Sequence, residues 1–221
     1  MIEPQTLRFL SALKKNNNKP WFDANRAKYE ASRIDVQNFI QLVIDALEKT
    51  DTTITGTTAR QCLFRINRDI RFSKDKTPYK TNLGASIKRE GRKSRFAGYY
   101  FHCEPGRSFV GGGLWMPDAA DLKKVRQEID YNWEEFRSII TNKAFRKVFG
   151  DVYKAGDVQL STMPKGYEKD NPAAEYLKLK SFIAETGIED AELSKATLHK
   201  KVLEAYKALK PFLDFINKAL E

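Results

Sequence analysis

Three observations predict an α+β fold, with an antiparallel β-sheet of about four or more strands packed against N- and C-terminal helices. Apolar residues recur at helical spacing before residue 50 and again after residue 118. Between these stretches lie alternating runs of period two, divided by short turns containing Gly, Pro and Ser. No repeat, low-complexity tract or convincing linker interrupts the chain, so a single domain over residues 1–221 is the simplest organisation.

The elements follow in order. Residues 4–15 read as a short amphipathic helix with Leu7, Leu10 and Leu13 three apart, stopped by Asn16, Asn17 and Asn18. Pro20 suits the first turn of a second, long helix, whose face carries Phe22, Tyr29, Val36, Ile40, Val43 and Leu47 and which ends near Lys49. Trp21 and Phe22 are expected to anchor it. Residues 51–59 are Thr-rich and read as loop or edge strand. In residues 64–72, Phe64, Ile66, Ile70 and Phe72 alternate with Arg65, Asn67, Asp69 and Arg71, which predicts a strand with one polar face and Arg68 as the intruder on the apolar one. A polar turn over residues 73–78 leads to a second strand from Tyr79. A third, aromatic strand is expected over residues 96–103, and a fourth from Ser108 into Gly111, Gly112 and Gly113; strands so closely spaced suggest a meander. Asp118, three residues before Asp121, reads as the cap of a helix carrying Leu122, Val125 and Ile129, extended or restarted through Trp133, Phe136, Ile139 and Ile140 and closed by residues 145–149 at Gly150. Short strands are expected at 158–160 and 177–184, and a short helix after Asn171 and Pro172. The last helix carries Leu198, Val202, Ala205, Leu209, Phe212, Ile216 and Leu220 on one stripe, with Pro211 expected to kink or restart it.

Charge is distributed unevenly. The formal net charge is +10, yet residues 60–107 hold thirteen Lys or Arg against four Asp or Glu. Nearly all the excess is therefore central, a focusing that concentrates anions such as phosphorylated metabolites or nucleic acid. The 41% hydrophobic, 31% charged composition excludes a disordered chain. No apolar stretch approaches a membrane span, no signal peptide is read, and Cys62 and Cys103 cannot make a disulfide framework, so a cytoplasmic protein with two buried thiols is expected.

Residues 62–80 contain Phe64-Arg65-Ile66, Arg68-Asp69, Arg71-Phe72, Asp75-Lys76 and Pro78-Tyr79-Lys80. Together with N-N-N-K-P-W-F, Y-Y-F-H-C-E-P-G, G-G-G-L-W-M-P and P-K-G-Y, this run resembles the hallmark of an uncharacterised family of conserved hypothetical proteins, a domain of unknown function. The resemblance spans nearly the whole chain. It implies one full-length domain and supplies no catalytic residue.

The candidate ligand-binding residues are Arg65, Arg71, Lys76, Tyr79 and Lys80, expected to converge on an oxyanion because a guanidinium offers two parallel donors to phosphate or carboxylate. Two acids, Asp69 and Asp75, cannot neutralise the six bases of the segment. Arg68, on the apolar face, is expected to be paired internally. The basic turn with Arg89, Arg92, Lys93 and Arg95, near Tyr99, Tyr100 and Phe101, has the mixture found on surfaces that bind single-stranded nucleic acid. Asp69 and Asp75 are the candidates for catalysis on a phosphate-containing substrate. A third reading is a structural or interaction protein with an internal ion-pair lattice. Gly111 to Gly113 lack the context of a dinucleotide fingerprint, and His102, Cys103, His199 and Cys62 cannot be assembled into a familiar metal set, so no metal is expected and no cofactor or oligomeric state is assigned. An anionic ligand, either a phosphorylated small molecule or nucleic acid, is the expected partner.

Overall fold

The computed structural model describes residues 1–221, apart from the side chain of Asp157. Helices α1 (Pro4–Lys15), α2 (Lys19–Ala24), α3 (Arg26–Leu47) and the short α4 (Ala59–Cys62) come first. Strands β1 (Leu83–Ile87), β2 (Gly98–Cys103) and β3 (Ser108–Leu114) follow, then α5 (Ala119–Tyr131), α6 (Trp133–Thr141), α7 (Lys143–Phe149) and α8 (Ala174–Leu177). Strand β4 (Phe182–Ile188), α9 (Asp190–Leu193) and α10 (Leu198–Leu220) close the chain. The strands form one antiparallel sheet in the order β1-β2-β3-β4, so the fold is α+β as the sequence predicts. Among the described residues no helix is long and apolar enough to cross a membrane.

The chain divides into two compact units, each assembled from three segments. The first comprises residues 1–92, 100–110 and 187–203. Here α1 and α3 pack through Leu10, Leu13, Val36, Ile40 and Val43, all fully buried. Asp35 of α3 fastens the start of α1 by accepting from the Glu3 N–H at 2.9 Å and the Thr6 hydroxyl at 2.6 Å. Phe22 stacks on Tyr79 with centroids 4.0 Å apart, and Phe39 meets Phe101 at 5.1 Å. The second unit comprises residues 93–99, 111–186 and 204–221, with Phe136 at its centre against Tyr176, Phe212 and Phe215.

Several expectations shift in detail. The long helix breaks at Asn25, whose side-chain amide and backbone N–H both donate to the Trp21 carbonyl, separating α2 from α3. Residues 51–59 form a 3-10 turn (Thr52–Ile54) and the start of α4, rather than an edge strand. Val158 ends a 3-10 turn (Gly156–Val158) and Gln159 makes only an isolated bridge to Leu179, and the last strand lies later than expected, at Phe182–Ile188. Helix α10 runs through Pro211 without restarting. Asp118 caps α5 as its sequence suggests, accepting from the Asp121 N–H at 2.8 Å.

The largest correction concerns residues 64–72, which form no continuous strand. They are held by single bridges from Leu63 to Ala85 and from Asn67 to Tyr79. Of the expected apolar face only Ile66 is buried; Phe72 is 95% exposed. Alternation makes a strand only where one face is covered, and here the side chains bond locally instead, as polar groups do when they compete with a ladder.

Candidate functional site

Strand β2 sends Tyr99, Phe101 and Cys103 to one side, where all three are buried. Tyr100 and His102 lie on the other, and Glu104 continues the same period just past the strand end. This second face opens on a concavity of about 410 Å³ lined by Phe64, Arg68, Asp69, Lys80, Asn82, Tyr100 and His102. Tyr100 reaches it because Gly84 of β1 leaves the room: a Cβ at Gly84 would lie 2.6 Å from the Tyr100 hydroxyl oxygen.

Three cations gather at the rim. The Lys80 ammonium lies 5.2 Å from the Phe64 ring centroid and the Arg92 guanidinium 5.0 Å from it, both within cation–π range. Arg92 donates to the neutral Leu63 carbonyl. Burial pushes the Lys80 ammonium below its usual value, and the charges of Arg65 and Arg92 push the same way. Among the described residues neither Lys80, Arg65 nor Arg92 is within ion-pair distance of a carboxylate. Lys80, crowded by two like charges, costs the fold free energy, while Arg65 also bears favourably on the Asp69 carboxylate of the same lining.

Two of the segment's other cations, Arg68 and Arg71, pair with its two acids. Arg68 donates to Asp75 at 2.5 Å, to the Thr77 carbonyl at 3.1 Å and to the Thr77 hydroxyl, the internal role expected for it. Arg71 forks onto Asp69 through bonds of 3.0 and 2.7 Å, holding that carboxyl below the usual carboxylate range. Lys76 donates to the Ile70 carbonyl. The Tyr79 ring is buried against Phe22, and its backbone exchanges hydrogen bonds with the Asn17 side chain. Of the five ligand-binding candidates, Lys80 therefore lines the concavity and Arg65 bears on it. Arg71, Lys76 and Tyr79 are not among its lining residues. Asp69 reaches it and Asp75 does not, so the two acids turn to different arginines.

In the basic turn, Arg89 and Arg92 belong to the first unit, and Lys93 and Arg95 to the second. Arg95 pairs with the buried Asp121 of α5, while Lys93 is exposed. Gly111, Gly112 and Gly113 have no space for side chains: a Cβ at each would fall 2.0–2.2 Å from a backbone oxygen of Ala184, Gly98 or Phe182. Close strand approach accounts for the triple glycine. Among the described residues no group of three His, Cys, Asp or Glu is placed to hold a metal ion.

From the lining, Tyr100 and His102 continue into a chain of polar groups that sequence reasoning did not connect. The Tyr100 hydroxyl is 3.1 Å from His102 Nδ1, His102 Nε2 is 3.1 Å from Glu104 Oε2, and the Thr81 hydroxyl donates to Glu104 Oε1 at 2.8 Å. His102 is stacked on Phe109 at 4.6 Å. Burial pushes the imidazole below its ordinary value despite the opposing pull of Glu104, and the Arg107 charge adds to the depression. Burial acts to raise the Glu104 carboxyl, but the hydrogen bonds from His102 and Thr81 outweigh it and leave the group below its ordinary value. The spacing Tyr-x-His-x-Glu at one strand face was the signal available.

Fold and site together define an α+β protein with a cation-rimmed, aromatic-lined concavity at one edge of its sheet. The chain belongs to the family described as conserved hypothetical protein (DUF2461), which matches residues 5–215 and so takes in segments of both units. No curated protein and no solved structure matches it.

Proposed function

We propose that the protein is a cytoplasmic one that binds a phosphate-bearing small molecule in the concavity, with Lys80, Arg65 and Arg92 as the cations that meet it. The observation that carries this reading is Lys80, pressed by the like charges of Arg65 and Arg92 and, among the described residues, outside ion-pair distance of any carboxylate, in a concavity of about 410 Å³. An anion docked there converts repulsion into charge-assisted hydrogen bonds. The volume is that of a small-molecule site, which favours a compact phosphate ester over a nucleic-acid track. The motif through residues 64–80 supports the same reading, since its paired residues Arg68, Asp75, Arg71 and Asp69 brace the loop that presents Arg65 and Lys80.

Isothermal titration with inorganic phosphate, a nucleoside monophosphate and a single-stranded oligonucleotide tests it. The small phosphates are expected to bind with a shallow salt dependence, and Lys80→Ala or Arg65→Ala to weaken them about tenfold or more, the loss of one hydrogen bond to a charged group. Tight oligonucleotide binding with a steep salt slope would replace the small molecule by nucleic acid. Binding unchanged in both variants removes the site.

A further inference from the structure

The row Tyr100, His102 and Glu104 is more than anion binding needs. We propose that the concavity hydrolyses a phosphate ester, with these three side chains carrying the proton of the attacking water. The inference rests on the anion site proposed above.

The geometry sets the direction of proton flow. Glu104, held by Thr81, is placed to accept from His102 Nε2–H, which leaves Nδ1 as the acceptor for the Tyr100 hydroxyl. The Phe109 ring fixes the imidazole plane, and the Ser108 hydroxyl, which accepts from the Glu104 N–H at 2.9 Å, fixes the backbone behind the carboxylate. Tyr100, its hydroxyl bonded to His102, lines the concavity. Burying an ionisable chain of this kind is unfavourable in itself, and the sheet ladder does not require it.

The step balances without a further reagent. A water oxygen forms a bond to phosphorus while the ester P–O bond breaks, and the bonding pair leaves on the departing oxygen. The water proton passes to the Tyr100 oxygen as the phenol proton moves to His102 Nδ1, giving an imidazolium beside the Glu104 carboxylate. Lys80 and Arg65 offset the charge on the phosphoryl oxygens. The departing oxygen takes up a proton from solvent, the imidazolium returns its own proton to solvent, and an alcohol and inorganic phosphate depart. A neutral His102 is required, and its depressed affinity for protons keeps it neutral at physiological pH. The groups that bear on it are Tyr100 and Glu104 of its own segment and Arg107 of the following turn, with Lys80 across the same concavity and the neutral Phe109 ring packed against it.

The full chain, wild type and variants, is assayed with para-nitrophenyl phosphate and bis(para-nitrophenyl) phosphate, and binding of inorganic phosphate is measured in parallel. Nitrophenolate release is expected from the wild type on at least one ester, at a rate that falls as pH drops through the His102 titration. Tyr100→Phe and His102→Gln are expected to lose turnover about 100-fold or more, the usual worth of a general base, and to keep phosphate binding within about threefold. Gly84→Ala, whose new methyl must displace the Tyr100 hydroxyl, is expected to lose turnover in the same way. If His102→Gln does not fold, Tyr100→Phe, which deletes one oxygen, decides the matter. A wild type that binds phosphate but releases nitrophenolate from neither ester overturns the hydrolysis and leaves the binding site standing. Turnover undiminished in Tyr100→Phe also overturns it. Absence of both binding and turnover ends both readings.

Discussion

Lys80 is the residue at which folding and binding pull in opposite directions. Its ammonium is partly buried among like charges, so its proton affinity in the fold is lower than in the unfolded chain. At neutral pH it is charged in both states and the fold bears the whole penalty, which is relieved only as pH rises through the lowered value. Two outcomes are expected. Lys80→Met should raise Tm of the ligand-free protein slightly, a small effect because solvent screens the site, while phosphate binding weakens as in Lys80→Ala. In the wild type, a bound phosphate should restore the proton affinity of Lys80. Binding at alkaline pH should then take up protons, read as a dependence of the titration enthalpy on the ionisation enthalpy of the buffer. Proton release, or a destabilised Lys80→Met, would show that the ammonium already has a partner. His102 follows the same sign in a lower pH window. Its value is also lowered in the fold, so it contributes stability above its ordinary range that is lost as pH falls through the lowered value.

At the scale of elements, the sheet depends on glycine where strands approach most closely. An alanine methyl at Gly112 would meet the Gly98 carbonyl oxygen at 2.2 Å and Leu209 at 2.9 Å, and a backbone oxygen cannot swing aside. Gly112→Ala should cost about 1–3 kcal/mol or more in urea unfolding. Gly187→Ala in β4, with nothing within 4 Å of the added methyl, should change stability little and serves as its control. Asp118→Ala, which removes the cap on α5, should cost about 1 kcal/mol. These elements were legible because their signals are local: a cap three residues before its amide, apolar positions at helical spacing in α1, α5 and α10, and aromatic alternation in β2. Residues 64–72 were misread because alternation there is not matched by burial, and the forks from Arg71 to Asp69 and Arg68 to Asp75 take the place of a ladder. The site was half legible for the same reason. The excess of positive charge pointed to Lys80 and Arg65. Which arginines would find internal partners depends on loop geometry that spacing does not encode. Glu104 drew no separate attention in the sequence, although its carboxylate completes the row after Tyr100 and His102.

For the whole molecule the question is whether two compact units mean two folding units. Strands β2, β3 and β4 and helix α10 each begin in one unit and end in the other. A helix or strand cannot lose half its length without breaking hydrogen bonds in the half that remains, so shared elements couple the opening of one unit to the other. One cooperative transition over the chain is therefore expected, as the single-domain reading requires. Two independent reporters can check this. Cys62 and Cys103 both lie in the first unit; burial pushes their thiols up to about 11 and about 12, so in the fold they are inert to thiol reagents at neutral pH and label only when that unit opens. Trp133 lies in the second unit beside Phe136 and Tyr176, and a variant with Trp21→Phe and Trp115→Phe makes it the sole indole. Pulse labelling of the thiols and Trp133 fluorescence should then report the same urea midpoint and the same slope. Thiols that label at a urea concentration where Trp133 still reads native would separate the units and make each a domain in its own right.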